Sequence, residues 1–101
     1  SESAGTVDVA KLSVQILNGS GTAGEAARVR DLLQEAGFET FSLGNADSYD
    51  YTDTEVQLKG DAGAGVFDQV KEALATYTVV EKDPLPENSD YDIVIFVGKQ
   101  K

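Results

Sequence analysis

The chain has 101 residues, 41% of them hydrophobic, which suffices for one compact domain. It is about half the length that a complete two-half dinucleotide-binding fold requires. The 18 acidic and 8 basic residues give a net charge of -10, which disfavours binding to nucleic acids and anionic membrane surfaces. Histidine and cysteine are absent, so the usual general base, thiol nucleophile and zinc ligands are missing, and no catalytic residue, cofactor or metal site is predicted.

The first ten residues, SESAGTVDVA, are small and polar. They predict a linker over residues 1–10, followed by a domain over residues 11–101. No apolar run approaches the roughly 20 residues of a membrane span, so we expect no direct membrane insertion by this segment. Because the chain starts at Ser1 and contains no methionine, we expect it to be part of a longer protein, which leaves room for an anchor upstream.

The first predicted elements are a strand, a tight turn and a helix. Residues 12–17 alternate apolar and polar side chains, which predicts a strand, and NGSG at residues 18–21 is typical of a turn. Thr22 and Glu25 have the spacing of a capping box at a helix start, and Gly37 is a typical helix end. The apolar stripe of this helix comprises Ala23, Ala26, Val29, Leu33 and Ala36.

Four more strands and one helix are predicted downstream. The strands cover residues 38–43, 54–59, 77–82 and 91–97, and the helix covers residues 66–75. A polar loop over residues 44–53 precedes the third strand of the chain. Two prolines exclude a helix from the loop before the last strand. That last strand is the most apolar one, which indicates a central position in the sheet.

The order β-α-β-β-α-β-β predicts an α+β fold, a two-layer sandwich with two helices on one face of a mixed sheet, like the split βαβ fold. One face of the sheet then has no helices. Val94 and Phe96 point to the face opposite Ile93 and Ile95, because side chains alternate along a strand. One of the two sets is therefore either exposed or covered by the long loops or by a partner.

The glycines of the first turn, Gly19, Gly21 and Gly24, have the G-x-G-x-x-G spacing of a dinucleotide-binding turn between a strand and a helix. The acidic residue expected about 20 residues further on is missing, and no Lys-Ser or Lys-Thr pair follows as in a P-loop. Two interpretations are open. Either the helix N-terminus binds an anion with help from Arg28, or Asn18 and the glycines only form a tight turn.

Other candidate residues lie in the loops. Tyr49 and Tyr51 are suited to stack on a sugar, to pack on a partner or to cover the end of the core. Asp47, Asp50 and Asp53 lack the Asp-x-Asp-x-Asp spacing of a calcium loop and are predicted to be solvated. The acidic set Asp83, Glu87, Asp90 and Asp92 has two interpretations, an acidic rim with a weak cation site or solvated side chains, and we favour the second.

Several motifs resemble the C-terminal accessory domain of LytR/CpsA/Psr-type cell-envelope proteins. ILNGSG at residues 16–21 is similar to the strand end Val-Leu-Asn-Gly-Ser-Gly of that family. A Gly-x-Ala helix and a Gly-Phe pair at residues 37–38 follow as they do there. Further similar stretches are LGNAD at residues 43–47, TEV at residues 54–56 and SDYDIVIFVGK at residues 89–99. The chain departs from the family at Gln100, where the family has Asp, and in its own loop over residues 83–89.

The resemblance implies a non-catalytic domain outside the membrane, behind a single N-terminal span. We therefore expect an extracytoplasmic accessory domain that binds peptidoglycan, a wall glycopolymer or an envelope protein. The candidate ligand-binding residues are Asn18, Gly19, Ser20, Gly21, Arg28, Tyr49 and Tyr51. The alternatives are a small nucleotide-binding enzyme that uses the glycine turn and a homodimerising structural module.

Overall fold

The computed structural model of the protein describes residues 11–59, 65–82 and 84–99. The predicted linker over residues 1–10 lies outside these ranges. The elements are β1 (Ser13–Asn18), α1 (Glu25–Glu35), β2 (Thr40–Asn45), β3 (Thr54–Leu58), α2 (Val66–Ala73), β4 (Val79–Glu81) and β5 (Ile93–Val97). The predicted α+β class and element order are confirmed, and the strand boundaries shift by at most two residues.

The strands form one mixed sheet in the order β2-β1-β5-β3-β4, so β5 is central as its apolar sequence predicts. β1 is parallel to both β2 and β5, whereas β3 is antiparallel to β5 and parallel to β4. Each helix therefore connects two neighbouring parallel strands, and β5 joins the two βαβ units. The predicted likeness to the split βαβ fold is wrong in this respect. In a split unit another strand lies between the two parallel strands, whereas here the two strands of each unit are direct neighbours.

The core lies between the sheet and the helices. Ile95 pairs in register with Ile16 on one side and with Val56 on the other, and all three side chains are fully buried. Val29 and Leu33 of α1 and Val70 of α2 are also fully buried. The predicted stripe of α1 is confirmed for its three middle residues, but Ala23 and Ala36 are exposed because they lie just outside the helix.

The end of α1 confirms the prediction at Gly37, whose φ is 111°. The Gly37 N–H donates to the Gln34 carbonyl at 3.1 Å, and the Phe38 N–H donates to the Leu33 carbonyl at 3.1 Å. This pair of bonds is a Schellman motif, and it satisfies carbonyls that the helix leaves free. Phe38 and Leu33 are both fully buried, so the motif leads the chain into the core before β2.

The helix-free face of the sheet is covered in part by the loop between β2 and β3. Val94 is 7% exposed, and by register it lies between Gln15 and Gln57. Phe96 is half-buried, and its ring stacks on Tyr51 at a centroid distance of 5.5 Å and an interplanar angle of 11°. The expectation that a long loop covers this face is therefore confirmed at Phe96.

Candidate functional site

The turn after β1 is held by its own side chains. Asn18 Oδ1 accepts hydrogen bonds from the Ser20 N–H at 3.0 Å and from the Ser20 hydroxyl at 2.8 Å, while Asn18 Nδ2 donates to the Thr22 carbonyl at 2.8 Å. Ser20 Oγ in turn accepts from the Thr22 N–H at 3.0 Å, and Ser20 is only 3% exposed. These polar atoms stabilise the turn, which supports the interpretation of NGSG as a structural element.

The glycines of this turn let the β2–β3 loop approach closely. A Cβ on Gly19 would lie 2.4 Å from Tyr51 Cδ1, and a Cβ on Gly21, whose φ is 80°, would lie 3.2 Å from the Tyr49 carbonyl oxygen. The Gly19 N–H donates to the Val97 carbonyl at 2.9 Å, and the Gly19 carbonyl accepts from the Tyr51 N–H at 3.0 Å. The space that a pyrophosphate needs beside these glycines is therefore taken by the protein's own loop.

The start of α1 differs from the predicted capping box. The N-cap is Gly24, with a φ of 86° and no side-chain cap, and the helix begins at Glu25. The capping-box prediction is wrong because this left-handed glycine turns the chain after Thr22 and places Glu25 in the first turn. Glu25 is 8% exposed and accepts a hydrogen bond from the Tyr77 hydroxyl, and its Oε2 lies 3.8 Å from Arg28 Nε. The first turn thus already holds a carboxylate beside Arg28.

A cavity of about 340 Å³ lies where the carboxyl ends of β1 and β2 meet. Three of the predicted site residues, Asn18, Gly21 and Tyr49, line it, and Tyr49 is 55% exposed. The other residues that line the cavity are Thr22, Ala23 and Asn45. The sequence analysis did not select Asn45 as a site residue. A signal for it exists, since Asn45 ends β2 as Asn18 ends β1 and the two residues pair in register.

The remaining predicted site residues lie elsewhere. Arg28 borders a separate depression with Gly24 and Asp31 beside α1, and Ser20 is buried in the turn. Tyr51 faces the helix-free side of the sheet against Phe96. Partial burial of the phenol, with the nearby carboxylates of Glu55, Asp47 and Asp50, raises the pKa of Tyr51 above its ordinary value. The predicted residues therefore divide among separate surfaces.

The acidic loops are solvated with one exception. Asp47, Asp50 and Asp53 are exposed, as predicted. Asp92 is half-buried instead, because its Oδ2 accepts from the Ser13 N–H at 3.0 Å and its Oδ1 lies 3.7 Å from Lys59 Nζ. Asp83 lies outside the described residues. Within the described ranges, acidic side chains nowhere gather in a group of three or more that could hold a metal ion.

The fold and the cavity define a small α+β domain with a loop-lined pocket at the carboxyl ends of two parallel strands. Residues 11–100 match the family described as LytR cell envelope-related transcriptional attenuator. The chain therefore belongs to this LytR C-terminal domain family of cell-envelope proteins, which confirms the resemblance of its motifs. None of the helices in the described ranges is long and apolar enough to cross a membrane.

Two solved structures have a similar fold. The soluble domain of a conserved hypothetical secreted protein from Mycobacterium marinum, the Rv2700 ortholog, has 22% identity and a TM-score of 0.57, over 92% of this chain and 62% of that one. This chain thus spans less than two thirds of that domain. The C-terminal domain of RV0431, solved in solution, has 27% identity and a TM-score of 0.59, over 98% of this chain and 81% of that one. No curated protein matches the chain.

Proposed function

We propose that this protein is a non-catalytic, extracytoplasmic domain that binds a component of the cell wall in the cavity beside Tyr49. Family membership supports the envelope context. The observation that carries the binding site is the cavity itself, which brings the exposed Tyr49 ring together with Asn18 and Asn45. The wider proposal includes a membrane anchor upstream of the chain, which tethers the domain on the outer side.

The chemistry of the cavity favours a neutral sugar over an anion. Tyr49 offers an aromatic face on which a sugar ring can stack, and the exposed Asn45 amide and Thr22 hydroxyl supply hydrogen-bonding groups. None of the described residues that line the cavity is basic, and the net charge of -10 repels polyanions. We therefore favour the glycan strands of peptidoglycan over a phosphate-rich glycopolymer.

The nucleotide-enzyme alternative has less support. Within the turn, the Ser20 and Thr22 N–H groups already donate to side chains, so they are not available to a pyrophosphate. Tyr51 and the Tyr49 carbonyl fill the space beside the glycines. A thermal-shift screen tests this point directly, since a nucleotide at 100 times its Kd would stabilise the fold by about 2.7 kcal/mol.

The test of the proposal is co-sedimentation with insoluble peptidoglycan, prepared with and without its attached glycopolymer. We expect the wild type to sediment with both preparations and Tyr49→Ala to stay in the supernatant. Leu43→Ala is the matched control, because Leu43 is also an exposed apolar side chain, at 42%, and does not line the cavity. Arg28→Ala is expected to bind normally. Loss of binding in Arg28→Ala but not in Tyr49→Ala would move the site to the helix N-terminus.

A further inference from the structure

A second concave surface lies on the helix-free face of the sheet. This surface, the sheet-face groove, has a volume of about 680 Å³, and Tyr51, Phe96, Glu55, Gln57, Lys82 and Pro84 are among its lining residues. Tyr51 and Phe96 stack on each other in this groove, and both are only partly buried. A partly exposed aromatic pair in a groove of this size is typical of a docking surface rather than of a plain solvated sheet face.

The charge around this groove is one-sided. The stretch NADSYDYTDTE at residues 45–55 carries four carboxylates and no basic residue. A smaller hollow of about 270 Å³ adjoins the groove, shares Tyr51 and Glu55 with it, and adds Asp50 and Asp53 to the wall. Partial burial, and then the carboxylates of Glu55, Asp47 and Asp50, raise the pKa of Tyr51 above its ordinary value there. Lys82 is the basic residue among those lining the groove.

Three basic side chains on other surfaces of the fold are already engaged in ion pairs. Arg28 pairs with Glu25, Arg30 with Asp31 at 3.1 Å, and Lys59 with Asp92 at 3.7 Å. In the described part of the chain, no ion pair reaches Glu55 or Asp50, and the only side-chain partner of Asp50 is the Ser48 hydroxyl at 2.8 Å. These carboxylates are therefore available to a cation that comes from outside.

We propose that the sheet-face groove docks a basic segment of another protein. The apolar stems of its lysine or arginine side chains lie along Tyr51 and Phe96, and their charged ends reach Glu55 and Asp50. A second copy of this chain does not fit the same place, because it would bring like carboxylates together on two molecules that each carry a charge of -10. The groove is separate from the cavity beside Tyr49, so this inference does not rest on the wall-binding proposal.

The test is an NMR titration of the ¹⁵N-labelled protein with a blocked peptide in which four lysines alternate with alanines. We expect amide shifts that concentrate at Tyr51, Glu55, Gln57 and Phe96. The double variant Asp50→Asn/Glu55→Gln is expected to raise the Kd of the peptide by about fivefold. The matched control is Glu35→Gln/Glu72→Gln, which removes the same charge from the helix side of the domain and is expected to leave the Kd within about twofold of the wild type.

Four results would overturn the proposal. Equal weakening by both double variants, or shifts spread over the whole surface, would mean that only the net charge attracts the peptide. Equal binding of a glucosamine oligomer of the same charge would mean that the groove does not select a peptide. Shifts at the groove that grow with protein concentration alone, together with a dimer mass in sedimentation equilibrium, would assign the surface to self-association.

Discussion

The ring of Tyr51 lies so close to Gly19 that a Cβ at position 19 would be 2.4 Å from Tyr51 Cδ1. The two residues are also joined through the backbone, since the Tyr51 N–H donates to the Gly19 carbonyl at 3.0 Å. The same ring stacks on Phe96. Gly19 therefore allows the β2–β3 loop to close over the carboxyl end of β1, which gives this glycine a packing role.

The first prediction concerns Gly19→Ala. The added methyl group must displace the Tyr51 ring, and we expect a loss of about 1–3 kcal/mol in the free energy of unfolding, typical of an overpacked site. In a Tyr51→Ala background the ring is absent, so the same substitution is expected to cost much less. Urea denaturation of the four proteins of this double-mutant cycle measures the coupling. The same cost in both backgrounds would contradict the packing role.

A second glycine, Gly98, faces main chain instead of a side chain. A Cβ there would lie 2.4 Å from the Asp53 carbonyl oxygen, and the Gly98 N–H donates to Thr54 Oγ1 at 3.0 Å. Because backbone cannot swing aside, we expect Gly98→Ala to lower the free energy of unfolding by about 3 kcal/mol or more. Gly44→Ala is the control, since its Cβ would meet only Leu17 Cδ2, at 3.2 Å. The prediction fails if the two variants have the same urea midpoint.

Substitutions at Gly24 test the effect of backbone conformation alone, because a side chain there would meet no steric clash with the described residues. Among the residues that the structure describes, nothing lies within 4 Å of a Cβ built at this position, yet its φ is 86°. We expect Gly24→Ala to cost about 1–2 kcal/mol because an L-residue is strained in the left-handed region. Gly24→Asn is expected to cost less, since asparagine tolerates this region better. Thermal unfolding compares the two variants, and an alanine variant as stable as the wild type would contradict the N-cap geometry.

The buried contact between Tyr77 and Glu25 ties the start of α1 to the segment before β4. Removing the hydroxyl in Tyr77→Phe leaves the ring in place but removes the hydrogen bond to a buried carboxyl group. We expect this to lower the free energy of unfolding by about 1–3 kcal/mol. Tyr91→Phe, at a half-buried tyrosine outside this contact, is the matched control and is expected to be nearly neutral. Equal effects in urea denaturation would show that the contact contributes little.

The raised pKa of Tyr51 predicts a loss of stability at alkaline pH. Burial and the carboxylates of Glu55, Asp47 and Asp50 favour the protonated phenol in the folded state. The resulting stabilisation is fully present below the ordinary tyrosine pKa of 10.0 and is lost as the pH rises through the raised value. Urea midpoints between about pH 9 and about pH 11 measure it, and Tyr51→Phe is expected to flatten the profile. An unchanged profile would contradict the assignment.

Much of the fold follows from local patterns in the sequence. The alternation in β1, the helical stripe of α1 and the apolar run of β5 each reflect burial on a known face. The structure confirms them except at the two ends of the α1 stripe, Ala23 and Ala36. The order of the strands in the sheet does not follow from local patterns, because it depends on which strands pair with each other. The two βαβ units bring β1 next to β2 and β3 next to β4, and no local pattern distinguishes this from the split arrangement.

The candidate site was less predictable, because its geometry depends on one loop. The path of residues 46–53 places Tyr49 over the cavity at the carboxyl ends of β1 and β2. The same path places Tyr51 on the helix-free face of the sheet, against Phe96. Tyr49 and Tyr51 are only two positions apart in a polar loop, and no local sequence pattern indicates that they lie on different surfaces. The capping-box prediction failed for a related reason, since a left-handed Gly24 is an option that the spacing of Thr22 and Glu25 does not reveal.

The central place of β5 also has a consequence for the way the chain folds. β5 is the last strand in the described sequence, yet it separates β1 from β3. During synthesis, each βαβ unit can form locally, but the two cannot be joined into one sheet until the strand between them has been made. Asp92, just before β5, then contacts both units. Its carboxylate accepts a hydrogen bond from Ser13 of the first unit and forms an ion pair with Lys59 of the second. The late arrival of so apolar a strand makes folding depend on contacts that are distant in sequence, and such contacts form slowly.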